Sequence, residues 1–120
     1  MVVEDSAVIR RLIAVCLRAG DVEIVTREDG LAGLEAATSE SPDLVVLDIG
    51  LPGMDGWQVL NAIRSNPVTR LLPVVVLTAH AEEESRRHAE EGGADAFITK
   101  PFQPNDFRQT VLDLLSVRSP

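Results

Sequence analysis

Five polar residues that could carry out phosphoryl transfer stand at the ends of short apolar runs. Glu4 and Asp5 follow the first run, Asp48 the third and Thr78 the fourth, and Lys100 lies just beyond the fifth. A carboxylate can attack phosphorus to form an acyl phosphate. A lysine ammonium and a hydroxyl can then neutralise or hydrogen-bond the phosphoryl oxygens. These residue types predict a phosphoacceptor site, provided that the fold brings them together.

The apolar runs themselves predict five β-strands. Their length and their content of Val and Ile favour strands over helices. The second run contains Glu23, which is typical of an edge strand, whereas the third and fourth are apolar throughout, as strands buried on both faces should be. The predicted strands are Met1-Val3, Val22-Val25, Leu44-Leu47, Val74-Leu77 and Ala96-Ile98.

Helical patterns fill the intervals between these runs. The first helix begins after Ser6, a favourable N-cap, and Gly20 ends it. Between Glu82 and Glu91 the fourth helix has Ala89 as its only apolar residue. A solvated surface helix of low stability is the favoured interpretation, and a mobile switch element is the alternative. The other helices are predicted from about Leu31 to Thr38, after Asp55-Gly56, and from Pro104.

This alternation predicts one α/β domain over residues 1-120, with a doubly wound, five-stranded parallel sheet between two layers of helices. Right-handed crossovers favour the flavodoxin-like order 2-1-3-4-5, whose ligand site lies where the first and third strands end. Glu4, Asp5 and Asp48 then converge at that point. Because clustered carboxylates repel one another, Mg2+ with its preference for oxygen ligands is the expected compensating charge.

Five motifs, each at or near a strand end, resemble those of a response-regulator receiver domain, and the resemblance covers essentially the whole chain. Any one of them alone is weak, but all of them in order are specific. They are Val2 to Ser6, Leu47 to Gly56, Val75 to Ala79, Gly92 to Asp95 and Lys100 to Phe102.

The resemblance implies a role for each matching residue. Asp48 is the implied phosphoacceptor. The implied ligands of Mg2+ are Glu4, Asp5, Asp48 and the backbone carbonyl of Gly50. Lys100 is expected to pair with Asp48 in the unphosphorylated state and to contact the phosphoryl group. The resemblance also implies a cis Lys100-Pro101 bond. Thr78 and Phe97 occupy the positions of the switch hydroxyl and the switch aromatic residue.

The resemblance also implies partners. A histidine kinase or phosphotransfer protein would donate the phosphoryl group. The face made by the fourth helix, the fifth strand and the fifth helix would then control a partner or an output domain, and homodimer formation is left open. Such a domain assists its own phosphorylation and dephosphorylation but turns over no external substrate.

Three departures from the family pattern stand out. The first strand starts at Met1 and is short, and the first acidic position is Glu4 rather than Asp, which lengthens its reach to a metal. Gly50 and His80 occupy the two positions that influence the lifetime of the acyl phosphate in receivers.

The composition is that of a globular domain and limits the alternatives. Of the 120 residues, 45% are hydrophobic and 25% charged, and the net charge of −8 disfavours nucleic acid as a partner. No apolar run approaches the roughly 18 residues of a membrane span, and no signal peptide is visible, so we expect a cytoplasmic protein. The lone Cys16 excludes an internal disulfide and is expected to be a buried thiol.

Two other functions are alternatives to the phosphoacceptor. A receiver fold that binds its partner independently of phosphorylation is the main alternative, although a pure scaffold has no need of Asp48, Thr78 and Lys100 together. A phosphatase of the haloacid-dehalogenase type would need a second Asp two residues after the nucleophile, where this chain has Gly50.

Overall fold

The computed structural model describes residues 1–17, 26–50, 56–79, 83–100 and 102–118. Strands and helices alternate along the chain. The strands are β1 (Val2–Val3), β2 (Thr26–Arg27), β3 (Val45–Asp48), β4 (Val74–Thr78) and β5 (Ala96–Thr99). The helices are α1 (Ala7–Leu17), α2 (Gly30–Ser39), α3 (Gly56–Ser65), α4 (Glu83–Glu91) and α5 (Pro104–Arg118).

The strands form one parallel sheet in the order β2-β1-β3-β4-β5, which confirms the predicted order and fold class. Val2 of β1 pairs with Val46 of β3, and Asp48 at the end of β3 pairs with Leu77 of β4. The strand predicted at Val22-Val25 and the helix end predicted at Gly20 lie outside the described residues. Within them, the second strand is the pair Thr26–Arg27 at the sheet edge.

The central strands are buried on both faces because successive side chains point into two separate cores. Val45 and Leu47 of β3 pack with helices α2 and α3, whereas Val46 between them packs with α1 and α5. This explains why the third and fourth runs are apolar throughout. Cys16 lies in the second core, and burial raises the pKa of its thiol, so the prediction of a buried thiol is confirmed.

Local sequence signals fix several helix starts. The Ser6 hydroxyl accepts a hydrogen bond from the Ile9 amide at 3.3 Å, which confirms Ser6 as a cap of α1. Asp29 caps α2 in the same way, accepting from the Ala32 amide at 2.8 Å. Helix α5 begins at Pro104 as predicted.

One arginine joins α3 to the chain segments that lead into β4 and β5. The Arg64 guanidinium donates to the carbonyls of Gly93 at 2.9 Å, Leu72 at 2.7 Å and Arg70 at 3.2 Å. It also pairs with the Asp95 carboxylate at 3.0 Å, and that same carboxylate oxygen accepts from the first amide of β4 at 2.9 Å. Arg64 therefore links α3 to the two segments at the amino-terminal ends of β4 and β5, opposite the predicted site.

Candidate phosphoacceptor site

The predicted site residues stand at the carboxyl ends of adjacent strands. Glu4 directly follows β1, Asp48 ends β3, Thr78 ends β4 and Lys100 directly follows β5. Glu4, Asp48 and Thr78 are 1%, 4% and 3% exposed. Polar side chains buried to this degree need partners, so the partners of each define what the site can do.

Three carboxyl groups form an acidic cluster. Glu4, Asp5 and Asp48 each offer an oxygen atom, and these atoms lie within 4.8 Å of one another. Glu4 and Asp48 are buried, whereas Asp5 is exposed and leaves the cluster open to solvent. Oxygen donors at this spacing, with an open side for water or phosphate oxygens, fit the coordination that Mg2+ prefers. The predicted convergence of the three carboxyl groups is therefore present.

Lys100 supplies the positive charge that the cluster needs without a metal. Its Nζ lies 2.9 Å from Oε1 of Glu4 and 3.2 Å from Oδ1 of Asp48. The resemblance implied a pair with Asp48, which is present, and the ammonium is in addition shared with Glu4, to which its contact is shorter. The backbone also fixes this lysine, because its amide donates to the Thr78 carbonyl at 2.7 Å.

Burial and repulsion raise the pKa of Glu4 to about 7. Loss of solvation is the largest cause, and a hydrogen bond with Asp48 and its negative charge add to it, whereas Lys100 acts in the opposite direction. Burial alone would lower the pKa of Lys100, but its hydrogen bond to Glu4 and the charges of Asp48 and Glu4 outweigh burial and raise it. The lysine therefore remains charged at neutral pH.

The chain around Asp48 is held by backbone contacts. Oδ1 of Asp48 accepts from the Gly50 amide at 3.2 Å, and the amide of Ile49 donates to the Leu77 carbonyl at 3.0 Å. The Gly56 amide donates to the Ile49 carbonyl at 3.0 Å, which places the start of α3 directly against the end of β3. A Cβ atom on Gly56 would lie 2.6 Å from the Asp48 carbonyl oxygen, so only glycine fits there.

The two predicted switch residues lie on the neighbouring strands β4 and β5. Thr78 pairs with Thr99 in the sheet, and Phe97 pairs with Val76. The Phe97 ring is partly buried against the core shared with α3, and the Arg86 guanidinium lies 5.0 Å from its centre. The position of Phe97 is thus that of a ring at the border between the core and α4.

Two predicted features cannot be compared with the structure, and the contacts that support Glu4 were not predicted. His80 and the Lys100-Pro101 bond lie outside the described residues. The Glu4 Oε2 accepts from the Ser6 amide at 3.3 Å, and the Glu4 backbone carbonyl accepts from the Arg10 guanidinium at 2.8 Å. The sequence held a signal for these contacts, because Ser6 caps α1 and Arg10 lies near its start, and α1 begins three residues after Glu4.

The described helices include none that is both long and apolar enough to cross a membrane.

Comparisons with known proteins agree with the geometry of the site. The family model of the response regulator receiver domain matches residues 1–112. The phosphate regulon transcriptional regulatory protein PhoB of Escherichia coli is 41% identical over 106 residues, which cover 88% of this chain and 46% of that protein. The chain therefore spans about half the length of this curated relative.

Two solved structures illustrate the likeness of fold. The receiver domain of the response regulator NarL from Mycobacterium tuberculosis has a TM-score of 0.87 at 33% identity, with 98% of this chain and 94% of that chain covered. The receiver domain of the sensor histidine kinase PA1611 from Pseudomonas aeruginosa has a TM-score of 0.87 at 25% identity, covering 96% and 94%. That structure has a magnesium ion coordinated in its active site cleft. The chain described here belongs to the family of response-regulator receiver domains.

Proposed function

We propose that this receiver domain accepts a phosphoryl group on Asp48, from a phosphohistidine of a kinase or phosphotransfer protein, with Mg2+ in the acidic cluster. The observation that carries the proposal is the convergence at one sheet edge of a buried carboxylate, two further carboxyl groups and a shared lysine. Taken singly, each of these groups has a structural explanation. Together they provide a nucleophile and the charges that phosphoryl transfer requires.

In the proposed reaction, an oxygen of Asp48 attacks the phosphorus of the donor. The new O–P bond forms as the N–P bond to the histidine breaks, and the imidazole leaves with the electron pair and takes up a proton from solvent. Lys100 holds the acceptor carboxylate in place before the attack, through the 3.2 Å contact to Oδ1. After the transfer, the Lys100 ammonium can interact with the negatively charged phosphoryl oxygens. Thr78, at the end of the adjacent strand, is the proposed hydroxyl donor to one of those oxygens.

Glu4, Asp5 and Asp48 are the proposed side-chain ligands of the metal, and the Gly50 carbonyl is the proposed backbone ligand. When bound, Mg2+ would neutralise charge on the phosphoryl oxygens. Glu4 is held by Ser6 and Lys100, so its carboxylate is already oriented toward the cluster. Gly50 is exposed next to Asp48, and we propose that it and His80 influence how fast water reaches the acyl phosphate.

The proposed output is a change in the face formed by α4, β5 and α5. Helix α4 has a single buried residue, and all four residues of β5 are only partly buried, so this side of the domain is the more weakly packed. Phe97 of β5 contacts α4, because the Arg86 guanidinium lies over its ring. We propose that phosphorylation acts through Thr78 and Phe97 on this face, which controls an output domain or a separate partner in the cytoplasm.

Intact-protein mass spectrometry tests the acceptor. The protein is incubated with a small phosphodonor such as phosphoramidate, with Mg2+ or with EDTA, and the wild type is compared with Asp48→Asn. Asp43→Asn, which changes an exposed carboxylate distant from the cluster, is the matched control. We expect one added phosphoryl group in the wild type and in the control, only with Mg2+, and none in Asp48→Asn. Equal labelling of Asp48→Asn would overturn the proposal.

A further inference from the structure

Within the described residues, helix α4 buries little surface against the rest of the domain. Ala89 is its one buried residue, Ser85 is half-buried, and the other residues are exposed and mostly charged. Two ring contacts add to this methyl group: the His88 imidazole stacks on the Trp57 indole, and the Arg86 guanidinium lies over Phe97. A helix attached by so little apolar surface depends strongly on each such contact.

The stack between Trp57 and His88 is well formed. The ring centres are 4.3 Å apart and the ring planes are inclined by only 8°. Trp57 is partly buried and packs against the core beneath α3, whereas His88 is exposed. The Trp57 indole therefore serves as a platform on which the His88 imidazole of α4 stacks.

The platform is joined to the acceptor end of β3. Trp57 follows Gly56, whose amide bonds to the Ile49 carbonyl one residue after Asp48. The two segments are so close that a Cβ atom on Gly56 would lie 2.5 Å from the Ile49 Cα atom. A shift of the chain after Asp48 must therefore move the first turn of α3, and with it the indole on which His88 rests.

We propose that the Trp57–His88 stack restrains α4 in the unphosphorylated state and couples it to the acceptor strand. This route runs through the start of α3 and is separate from the one through Thr78 and Phe97. It rests on the proposed function, because it concerns how occupation of Asp48 reaches the α4 face. The stack occurs together with the Lys100–Asp48 ion pair, which a phosphoryl group on Asp48 would displace, so we expect loss of the stack to lower the free-energy cost of moving α4.

The test measures how easily a phosphoryl mimic switches the domain. Wild type, His88→Ala, His88→Phe and the control Arg87→Ala are titrated with beryllofluoride in the presence of Mg2+, and the bound fluoride is followed by 19F NMR. Hydrogen exchange of the α4 amides is measured in the same samples. Position 87 is the neighbouring exposed residue on the same helix, so the control keeps the helix and loses only a charged side chain.

We expect His88→Ala to bind beryllofluoride about two- to tenfold more tightly than the wild type, the range set by the strength of an aromatic pair. In His88→Ala without beryllofluoride, the hydrogen-exchange rate of the α4 amides should rise by a similar factor relative to the wild type. His88→Phe keeps a ring for the stack and should behave as the wild type, and Arg87→Ala should not change the affinity.

The outcomes separate the two proposals. If the wild type fails to bind beryllofluoride, the proposed function is overturned and this link with it. If the wild type binds but His88→Ala has the same affinity as Arg87→Ala, the link alone is overturned. Faster exchange in α4 with unchanged affinity would also overturn it, because the stack would then stabilise the helix without restraining the switch.

Discussion

Replacing Glu4 by Gln should stabilise the metal-free protein, and increasingly so as the pH rises. Glu4 is 1% exposed, next to Asp48, and its pKa is raised to about 7 from an ordinary value of 4.5. The folded state therefore binds a proton that the unfolded state has released between these pH values. Stability contributed by this group is present below about pH 4.5 and is lost as the pH rises through about 7.

The magnitude follows from the size of the shift. Each unit of pKa difference corresponds to about 1.4 kcal/mol, so an ionised Glu4 lowers the free energy of unfolding by about 3 kcal/mol above pH 8. Gln resembles the protonated carboxyl in shape and carries no charge. The two proteins should therefore be nearly equally stable at pH 5, with Glu4→Gln about 2–3 kcal/mol more stable at pH 8.5.

Urea unfolding in EDTA at a series of pH values measures this difference. Glu35→Gln, which changes an exposed carboxylate on α2, is the matched control and should follow the wild type at every pH. The reasoning about Glu4 would be refuted if the difference in unfolding free energy between Glu4→Gln and the wild type stayed constant from pH 5 to pH 8.5. It would also be refuted if the wild type became more stable relative to the variant as the pH rises.

Three further predictions concern the metal, the α3 start and the Arg64 contacts. Because Glu4 must lose its proton to bind a cation, Mg2+ affinity measured by calorimetry should rise from pH 6 to pH 8 and level off above it. Gly56→Val should cost about 2–4 kcal/mol of unfolding free energy in urea, since its side chain would collide with the backbone after Asp48. Arg64→Ala should cost about 2–3 kcal/mol, since it removes the guanidinium donor from two backbone carbonyl groups and the cation that pairs with the Asp95 carboxylate.

Each of these has a result that would contradict it. A Mg2+ affinity that is flat across pH 6 to 8 would mean that Glu4 is already ionised without the metal. Gly56→Val with wild-type stability would show that the end of β3 and the start of α3 are not tightly packed. Arg70→Ala is the control for Arg64→Ala, because Arg70 is exposed. Equal losses of unfolding free energy in the two variants would show that the contacts of the Arg64 guanidinium do not stabilise the fold.

Most of the architecture could be predicted from local patterns. The apolar runs at β3 and β4, the cap at Ser6 and the proline at the start of α5 are signals of one or a few residues, and each was found where predicted. The site followed from the sheet order, because parallel strands end at one edge and bring Glu4, Asp48 and Lys100 together.

What the sequence could not supply were contacts between distant side chains. Nothing near Lys100 indicates that its shorter contact is to Glu4 rather than to Asp48, because the choice depends on the reach of the longer carboxylate. His88 is exposed on α4, and its stack on Trp57 depends on how α3 and α4 pack. Such pairs are determined by tertiary packing and leave no periodic signal.

The central claim is that Asp48 carries the phosphoryl group, and chemical trapping tests it most directly. An acyl phosphate on aspartate is reduced by borohydride to homoserine, which peptide mass spectrometry locates in the sequence. After incubation with phosphoramidate and Mg2+, the account predicts homoserine at position 48 alone, and none when EDTA replaces Mg2+. Homoserine at another carboxylate, or its absence from a protein that gained phosphoryl mass, would contradict the account.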